Sequence, residues 1–363
     1  MILNSFFKKR FSSTSFLIST ILLTCLLTDC FINNSFLFIP LLLTIIFTSL
    51  ATKWLIPKLN NLKIRQIIRQ EGPEVHYKKA GTATMGGLIV IPIALLSGNL
   101  LNPFSKYNEQ IIAISLITLA FMAIGALDDW QSLTKKTNSG LSPKKKLILQ
   151  GFAAMIFVTW GILKGWINEI INLPLGVQIN TGILILPLMI FVFLAESNST
   201  NLADGLDGLA SGCGALVFSG LALELSFRGS NENLMLASFC IGMAGSWLGF
   251  LTQNKNPAKI FMGDTGSLAM GGALTGIAII SNTLWALFIM GGVFVLESLS
   301  VIIQVLVFKI TKKYKGAGKR IFLMAPLHHH YEMAGINENI IVSWFWITTG
   351  ILVVFSLLLS QAY

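Results

Sequence analysis

Five polar clusters interrupt an otherwise apolar chain, and each carries groups suited to phosphates or cations. The first is His76-Tyr77-Lys78-Lys79-Ala80-Gly81-Thr82-Ala83-Thr84-Met85-Gly86-Gly87. Lysines and free backbone amides just ahead of a helix suit a phosphate, while the bland alternative is an interfacial loop with snorkelling lysines. The second is Asp128-Asp129, followed by Gly140-Leu141 and Lys144–Lys146. Acids beside a membrane are costly unless they work or pair with cations. Adjacent helical residues point about 100° apart, so only one of the two would face a given ligand. The third, Asn198 to Gly208, places Asp204 and Asp207 three apart among glycines; a helical turn would bring both to one face. An EF-hand is excluded because the twelfth position of such a loop lacks its acid.

The fourth cluster, Asn254 with Phe261-Met262-Gly263-Asp264-Thr265-Gly266-Ser267, adds a carboxylate and an aromatic ring that could stack on a base or simply face lipid. The fifth is Pro326-Leu327-His328-His329-His330-Tyr331-Glu332. Neighbouring histidine side chains diverge, so phosphate contacts or proton transfer suit them better than one shared zinc ion. Together the clusters supply five aspartates, several lysines and all four histidines of the chain. Hard oxygen ligands few in number match Mg2+, which keeps waters and bridges phosphates. The chemistry indicated is phosphoryl transfer on a lipid-borne phosphate, the metal offsetting charge and orienting the leaving group.

These groups must be positioned by membrane helices. The 363 residues are 54% hydrophobic and only 12% charged, about half the charge of a soluble domain. Apolar runs long enough to cross a bilayer fall near 14–32, 35–56, 85–101, 110–127, 147–166, 180–196, 208–227, 233–251, 266–282, 284–308 and 339–360. The expected fold is an all-α polytopic transmembrane bundle of ten core helices plus one extra N-terminal helix. Residues 1–34 are expected to form the basic segment and extra helix, and 35–363 a membrane-embedded domain that carries all five clusters. Lys8, Lys9 and Arg10 before the first run resemble a signal anchor without an obvious cleavage site, so a retained helix is expected.

Lys58 to Lys79, Lys135 to Lys146, Lys255 with Lys259, and Lys309 to Arg320 crowd alternate loops, whereas the intervening loops hold only Lys106, Lys164 and Arg228. By the positive-inside rule the basic loops, and every cluster above, are cytoplasmic. The net charge of +10 reads as membrane anchoring and attraction to anionic headgroups, not as nucleic-acid binding. Cys25, Cys30, Cys213 and Cys240 sit in apolar runs and read as packing residues.

Across residues 35–360 all five motifs, in order, make the chain resemble the phospho-N-acetylmuramoyl-pentapeptide-transferases (translocase I). These belong to the polyprenyl-phosphate N-acetylhexosamine-1-phosphate transferases. The run Pro326-Leu327-His328-His329-His330 is the most specific match. The resemblance implies transfer of phospho-N-acetylmuramoyl-pentapeptide from UDP-N-acetylmuramoyl-pentapeptide to undecaprenyl phosphate, with Mg2+, releasing UMP and giving lipid I. It further implies ten helices in the inner (plasma) membrane, a cytoplasmic cleft and the first membrane step of peptidoglycan synthesis.

By position, Asp264 matches the Mg2+ ligand. Asp128 and Asp129 match the acidic pair, with Asp128 the base for the lipid phosphate. Asp204 and Asp207 match the glycine-flanked acids, with Asp207 near the nucleoside. Lys79, Asn201, Asn254 and Phe261 match nucleotide-site positions. Lys146 and His328, His329 and His330 would contact phosphates or sugar. A homodimer is one assembly the sequence allows.

Two positions depart from the family pattern: Ser132 stands where a lysine is common, and Ala83 replaces the proline of Gly-Thr-Pro-Thr. Two other readings are weighed. An N-acetylglucosamine-1-phosphate transferase would differ in its nucleotide. A transporter would carry ionisable groups near mid-membrane; here the motif acids fall at the inner ends of spans, leaving Glu196, beside the Asn198 loop, and Glu297, within the tenth span, as the ambiguous residues.

Overall fold

The computed structural model describes residues 13–32, 35–62, 64, 81–101, 108–135 and 140–361. Thirteen α-helices are found among them: α1 (Ser13–Phe31), α2 (Phe38–Asn61), α3 (Gly87–Leu100), α4 (Glu109–Lys135), α5 (Pro143–Leu163), α6 (Ile185–Leu202), α7 (Leu209–Arg228), α8 (Asn231–Asn254), α9 (Gly263–Ile280), α10 (Leu284–Met290), α11 (Gly292–Lys315), α12 (Leu327–Met333) and α13 (Glu338–Gln361). One antiparallel hairpin, β1 (Ile170–Asn172) with β2 (Gln178–Asn180), joins α5 to α6. Nine of the described helices are long and apolar enough to cross a membrane. Helices are what a bilayer demands, because backbone polar groups find no water in its core.

α8 lies wholly inside the bundle and α7 almost so, and α9 is buried along nearly its whole length. The outer helices keep large apolar side chains exposed, such as Phe47 and Leu50 on α2, Ile148 and Phe152 on α5, and Ile302 and Leu306 on α11. That distribution suits lipid outside and packed protein inside. Hydroxyls cross-link the helices within the apolar layer. Ser246 donates to the Val90 carbonyl at 2.7 Å, Thr48 and Ser246 pair at 3.1 Å, and Ser298 donates to Ser199 at 2.7 Å. Small hydroxylated residues are the usual adhesive between membrane helices.

The eleven expected spans all have a helical counterpart, with one correction. The run 284–308 is broken at Gly291 into α10 and α11. The Gly291-Gly292 pair gives the chain no side-chain packing to hold the helix straight, and the Gly291 N–H closes the last turn of α10 on the Leu287 carbonyl at 2.7 Å. α1 is tied to the bundle by Asp29. Its carboxylate accepts the Leu37 N–H at 2.9 Å, the Phe38 N–H at 2.8 Å and the Ser35 hydroxyl at 2.8 Å, capping the start of α2.

Candidate active site

The described parts of all five clusters meet at one end of the bundle, the end that carries the basic loops. The approach of α4 to α9 sets their geometry. Gly125 on α4 packs directly on the Asp264 carbonyl, where any Cβ would overlap it. This contact brings the C-terminal turns of α4, with Asp128 and Asp129, against the N-terminus of α9.

The two aspartates then do different things. Asp129 Oδ1 accepts the Asp264 N–H at 3.1 Å, and Oδ2 accepts the Thr265 N–H at 3.0 Å and its hydroxyl at 2.6 Å. It is an N-cap for α9 supplied by another helix, and its negative charge also meets the positive end of that helix. Asp128 points elsewhere. Its Oδ1 accepts the Leu141 N–H at 3.2 Å and lies 4.0 Å from Lys146 Nζ.

Lys146, on the first turns of α5, is the centre of the cluster. Its ammonium forms a short ion pair with Asp264 Oδ2 and reaches Asn201 Oδ1 at 3.4 Å. Asn201, at the end of α6, donates from Nδ2 to Asp264 Oδ1 at 2.8 Å and to the Ser267 hydroxyl at 2.8 Å. Asp264 is thus flanked by a cation, an amide and a second carboxylate, and its side chain is about a quarter exposed. Among the described residues no trio of His, Cys, Asp or Glu could enclose a metal by protein donors alone. Asp264 with Asp128 nearby fits a hard cation held by one or two carboxylates and completed by substrate phosphates. The Lys146 ammonium already gathered there shows that the carboxylates attract positive charge.

Asp204 and Asp207 do not share a helical face as a continued helix would dictate. Residues 203–208 form turns between α6 and α7, with Gly208 at φ +80°, and the two acids take different surroundings. The Asp204 N–H donates to the Asn201 carbonyl at 3.3 Å. Burial, then the charges of Asp264, Asp129 and Asp207, hold its carboxyl well above the usual carboxylate range. Asp207 Oδ2 instead accepts from Asn256 Nδ2 at 3.0 Å and from the Ala258 N–H at 2.9 Å. Glu338, at the start of α13, accepts the Asp207 N–H at 2.8 Å and a bond from Asn256 at 2.9 Å.

Asn254 is equally committed. Its Oδ1 accepts the Gly208 N–H at 3.1 Å and the Ser211 hydroxyl at 2.8 Å, while Nδ2 donates to the Ile260 carbonyl at 2.9 Å. Asp207 and Asn254 therefore fold the 255–260 loop that leads into Phe261 and Asp264. Phe261 keeps a half-buried ring, and its N–H donates to the Ala83 carbonyl at 2.8 Å, so the fourth cluster is stitched to the end of the first. A cavity of about 340 Å3 borders this seam, between Asn60, Gly81–Ala83, Ala258 and Lys259. A separate polar cavity of about 240 Å3 lies at the opposite end of the bundle, lined by Arg228, Ser230 and Asn282 among others, and no motif residue reaches it. Lys79 lies outside the described residues.

The histidine run lies in α12, where the His328 and His329 rings pack with centroids 4.1 Å apart and each of the three rings takes a different polar partner. Buried His328 pairs through Nδ1 with Glu297 Oε2 at 3.1 Å, and its Nε2 abuts Gly205. His329 Nδ1 meets Glu332 Oε2 at 2.7 Å, and His330 Nδ1 accepts the Leu323 N–H at 3.2 Å. Thr265 and Ser267 belong to the fourth cluster named from the sequence, but Glu338 and Asn256 around Asp207, and Glu297 under His328, lie outside all five. Only Glu297 carried a signal, being an ionisable residue within an apolar span.

Comparison with known proteins agrees with this arrangement. Residues 111–282 match the family described as glycosyl transferase family 4. A phospho-N-acetylmuramoyl-pentapeptide-transferase of Prochlorococcus marinus (strain MIT 9313) is 55% identical over 355 residues, 98% of this chain and 95% of the relative. One from Synechococcus sp. (strain CC9311) is 55% identical over 90% of this chain and 88% of its own length. Another from Synechococcus elongatus is 48% identical over 84% and 82% respectively. At that identity and coverage, and with the motif acids, Lys146 and Asn201 converging as they do, the chain belongs to the phospho-N-acetylmuramoyl-pentapeptide-transferase family.

Proposed function

We propose that this chain transfers phospho-N-acetylmuramoyl-pentapeptide from UDP-N-acetylmuramoyl-pentapeptide to undecaprenyl phosphate, releasing UMP and forming lipid I. It would do so on the cytoplasmic face of the plasma membrane, as a step of peptidoglycan synthesis. The observation that carries this reading is the cluster Asp128, Lys146, Asn201 and Asp264, drawn from four helices to one end of the bundle. Residues 35–363 form the transferase domain, and α1 is a retained helix outside it.

An oxygen of the lipid phosphate attacks the phosphorus attached to the sugar, and the bond to the UMP phosphate breaks. Asp128 takes the proton from the attacking phosphate. It is free for this because Asp129 carries the capping bonds of α9. Lys146 offsets phosphate charge, and Asn201 keeps the Asp264 carboxylate aimed at the cleft. Asp264, with Asp128 beside it, would hold Mg2+, whose chemistry is to neutralise diphosphate charge and favour departure of UMP. Asp207 and Asn254 shape the nucleoside side by fixing the 255–260 loop, and Phe261 offers the ring on which uracil stacks. Lys79 and His328, His329 and His330 complete the phosphate and sugar contacts. Lipid headgroups associate with the basic loops, and the assembly is a homodimer.

The test is UMP release by the purified full chain with undecaprenyl phosphate, supplied with UDP-N-acetylmuramoyl-pentapeptide or with UDP-N-acetylglucosamine, in Mg2+ or in EDTA. Release only with the first nucleotide and only with Mg2+ is expected. Release from UDP-N-acetylglucosamine, or in EDTA, would overturn the substrate or the metal respectively.

A further inference from the structure

Glu297 lies in the second turn of the apolar helix α11 and is completely buried, as is His328 on α12. Their contact, Nδ1 to Oε2 at 3.1 Å, uses one polar atom of each side chain. The other atom of each, Glu297 Oε1 and His328 Nε2, is buried without a hydrogen-bond partner among the described residues. Buried polar groups in native proteins are nearly always paired, so an orphan imidazole nitrogen calls for a partner that arrives from elsewhere. The direction of Nε2 is informative. It sits so close to Gly205 that a Cβ there would overlap it. Gly205 adjoins Asp204, whose carboxyl feels the charges of Asp264, Asp129 and Asp207. The ring therefore points from the interior of the bundle toward the acidic cluster.

We propose that Glu297 is a positioning residue for the transfer reaction. It fixes the His328 ring through Nδ1 so that Nε2 is presented, across the Asp204–Gly205 turn, to a diphosphate oxygen of the nucleotide donor. At metal sites a carboxylate behind an imidazole selects the tautomer and orientation of the ring and raises its basicity, and its loss typically costs about 10–100-fold; the same orienting effect applies to His328. The inference rests on the proposed transfer activity and adds to it a residue that touches neither substrate.

The experiment compares wild type with Glu297→Gln, His328→Gln and the double variant, reading kcat and KM for UDP-N-acetylmuramoyl-pentapeptide together with thermal melting. Glu297→Gln should lower kcat about 10–100-fold with KM nearly unchanged. Because Glu297 acts through His328, the double variant should be no slower than His328→Gln alone. Multiplying losses, or a Glu297→Gln variant at wild-type rate, would overturn the proposal.

If Glu297→Gln fails to fold, 15N-histidine spectra of the wild-type protein decide. Adding UDP-N-acetylmuramoyl-pentapeptide, with binding confirmed by calorimetry, should shift the His328 Nε2 resonance and leave Nδ1 in place. An unmoved Nε2 would sink the proposal. A wild type that neither binds this nucleotide nor releases UMP would instead defeat the underlying activity, an outcome the assay shows before any variant is made.

Discussion

Asp129 and Asp128 are neighbours in sequence, and the structure makes opposite predictions for the same substitution at each. In Asp129→Asn the carboxylate that accepts three hydrogen bonds from Asp264 and Thr265 becomes an amide with one acceptor oxygen. That oxygen can serve Thr265 or the Asp264 N–H, and the NH2 group then faces a donor. Losing one charge-assisted bond costs about 1.5–3 kcal/mol. Removing negative charge from the start of α9 adds about 0.3–1 kcal/mol, for a sum of roughly 2–4 kcal/mol. For a chain of this size that is a fall in Tm of roughly 3–5 °C. Activity falls too, because displacing Asp264 by about 1 Å can cost about 100-fold.

Asp128→Asn keeps an oxygen for the Leu141 N–H, loses a 4.0 Å attraction to Lys146 and relieves the repulsion between Asp128 and Asp264. Its Tm should stay within about 2 °C, since so weak a pair contributes under about 1 kcal/mol. Its turnover should fall about 100- to 10,000-fold, as for loss of a general base. Tryptophan-fluorescence melting of detergent-purified protein, alongside UMP release, reads both quantities. An Asp129→Asn protein that melts like wild type, or an Asp128→Asn protein that melts several degrees lower, would show that the division between cap and base is wrong.

Three more perturbations probe other parts of the site. Asp264→Asn should abolish Mg2+-dependent UMP release, because it weakens the carboxylate that gathers Lys146 and Asn201; release with an ordinary Mg2+ dependence would defeat that assignment. Gly205→Ala places a methyl group where His328 Nε2 lies, and the completely buried ring, tethered to Glu297, has little room to retreat. A loss of about 1–3 kcal/mol is expected from overpacking, and an unchanged Tm would mean the ring does not occupy that space. Asp29→Ala removes the cap on α2 and should cost about 0.5–2 kcal/mol, read as a lower Tm with UMP release per folded molecule kept; a wild-type melting curve would mean α1 is not fastened there.

The spans were legible because a bilayer leaves the chain little choice: a run of about 20 apolar residues has to be a helix. The meeting of the motif acids was legible for a related reason. Each lies at the basic end of its span, and charge asymmetry assigns those ends to one face. What sequence could not carry is which way a side chain turns once it arrives. Asp128 and Asp129 have the same chemistry and nearly the same place, and only the approach of α9 over Gly125 makes one a cap and leaves the other open. Asp204 and Asp207 looked like a pair on one helical face until the Gly205–Gly208 turns separated them, sending Asp207 to the 256–258 loop.

Glu297 shows the limit most clearly. Its burial within an apolar helix marked it as unusual, yet its partner is 31 residues away on a separate helix. In a membrane bundle, helices are fixed by local composition but their rotations are fixed by packing against neighbours. The residues whose roles were misjudged or missed are therefore those whose partners lie across a helix–helix contact. The same reasoning says where a second substitution should act. Bulk added at Gly125, on the contact and not in the cluster, should disturb Asp129 and Asp264 together. Asp128 would keep its bond to Leu141.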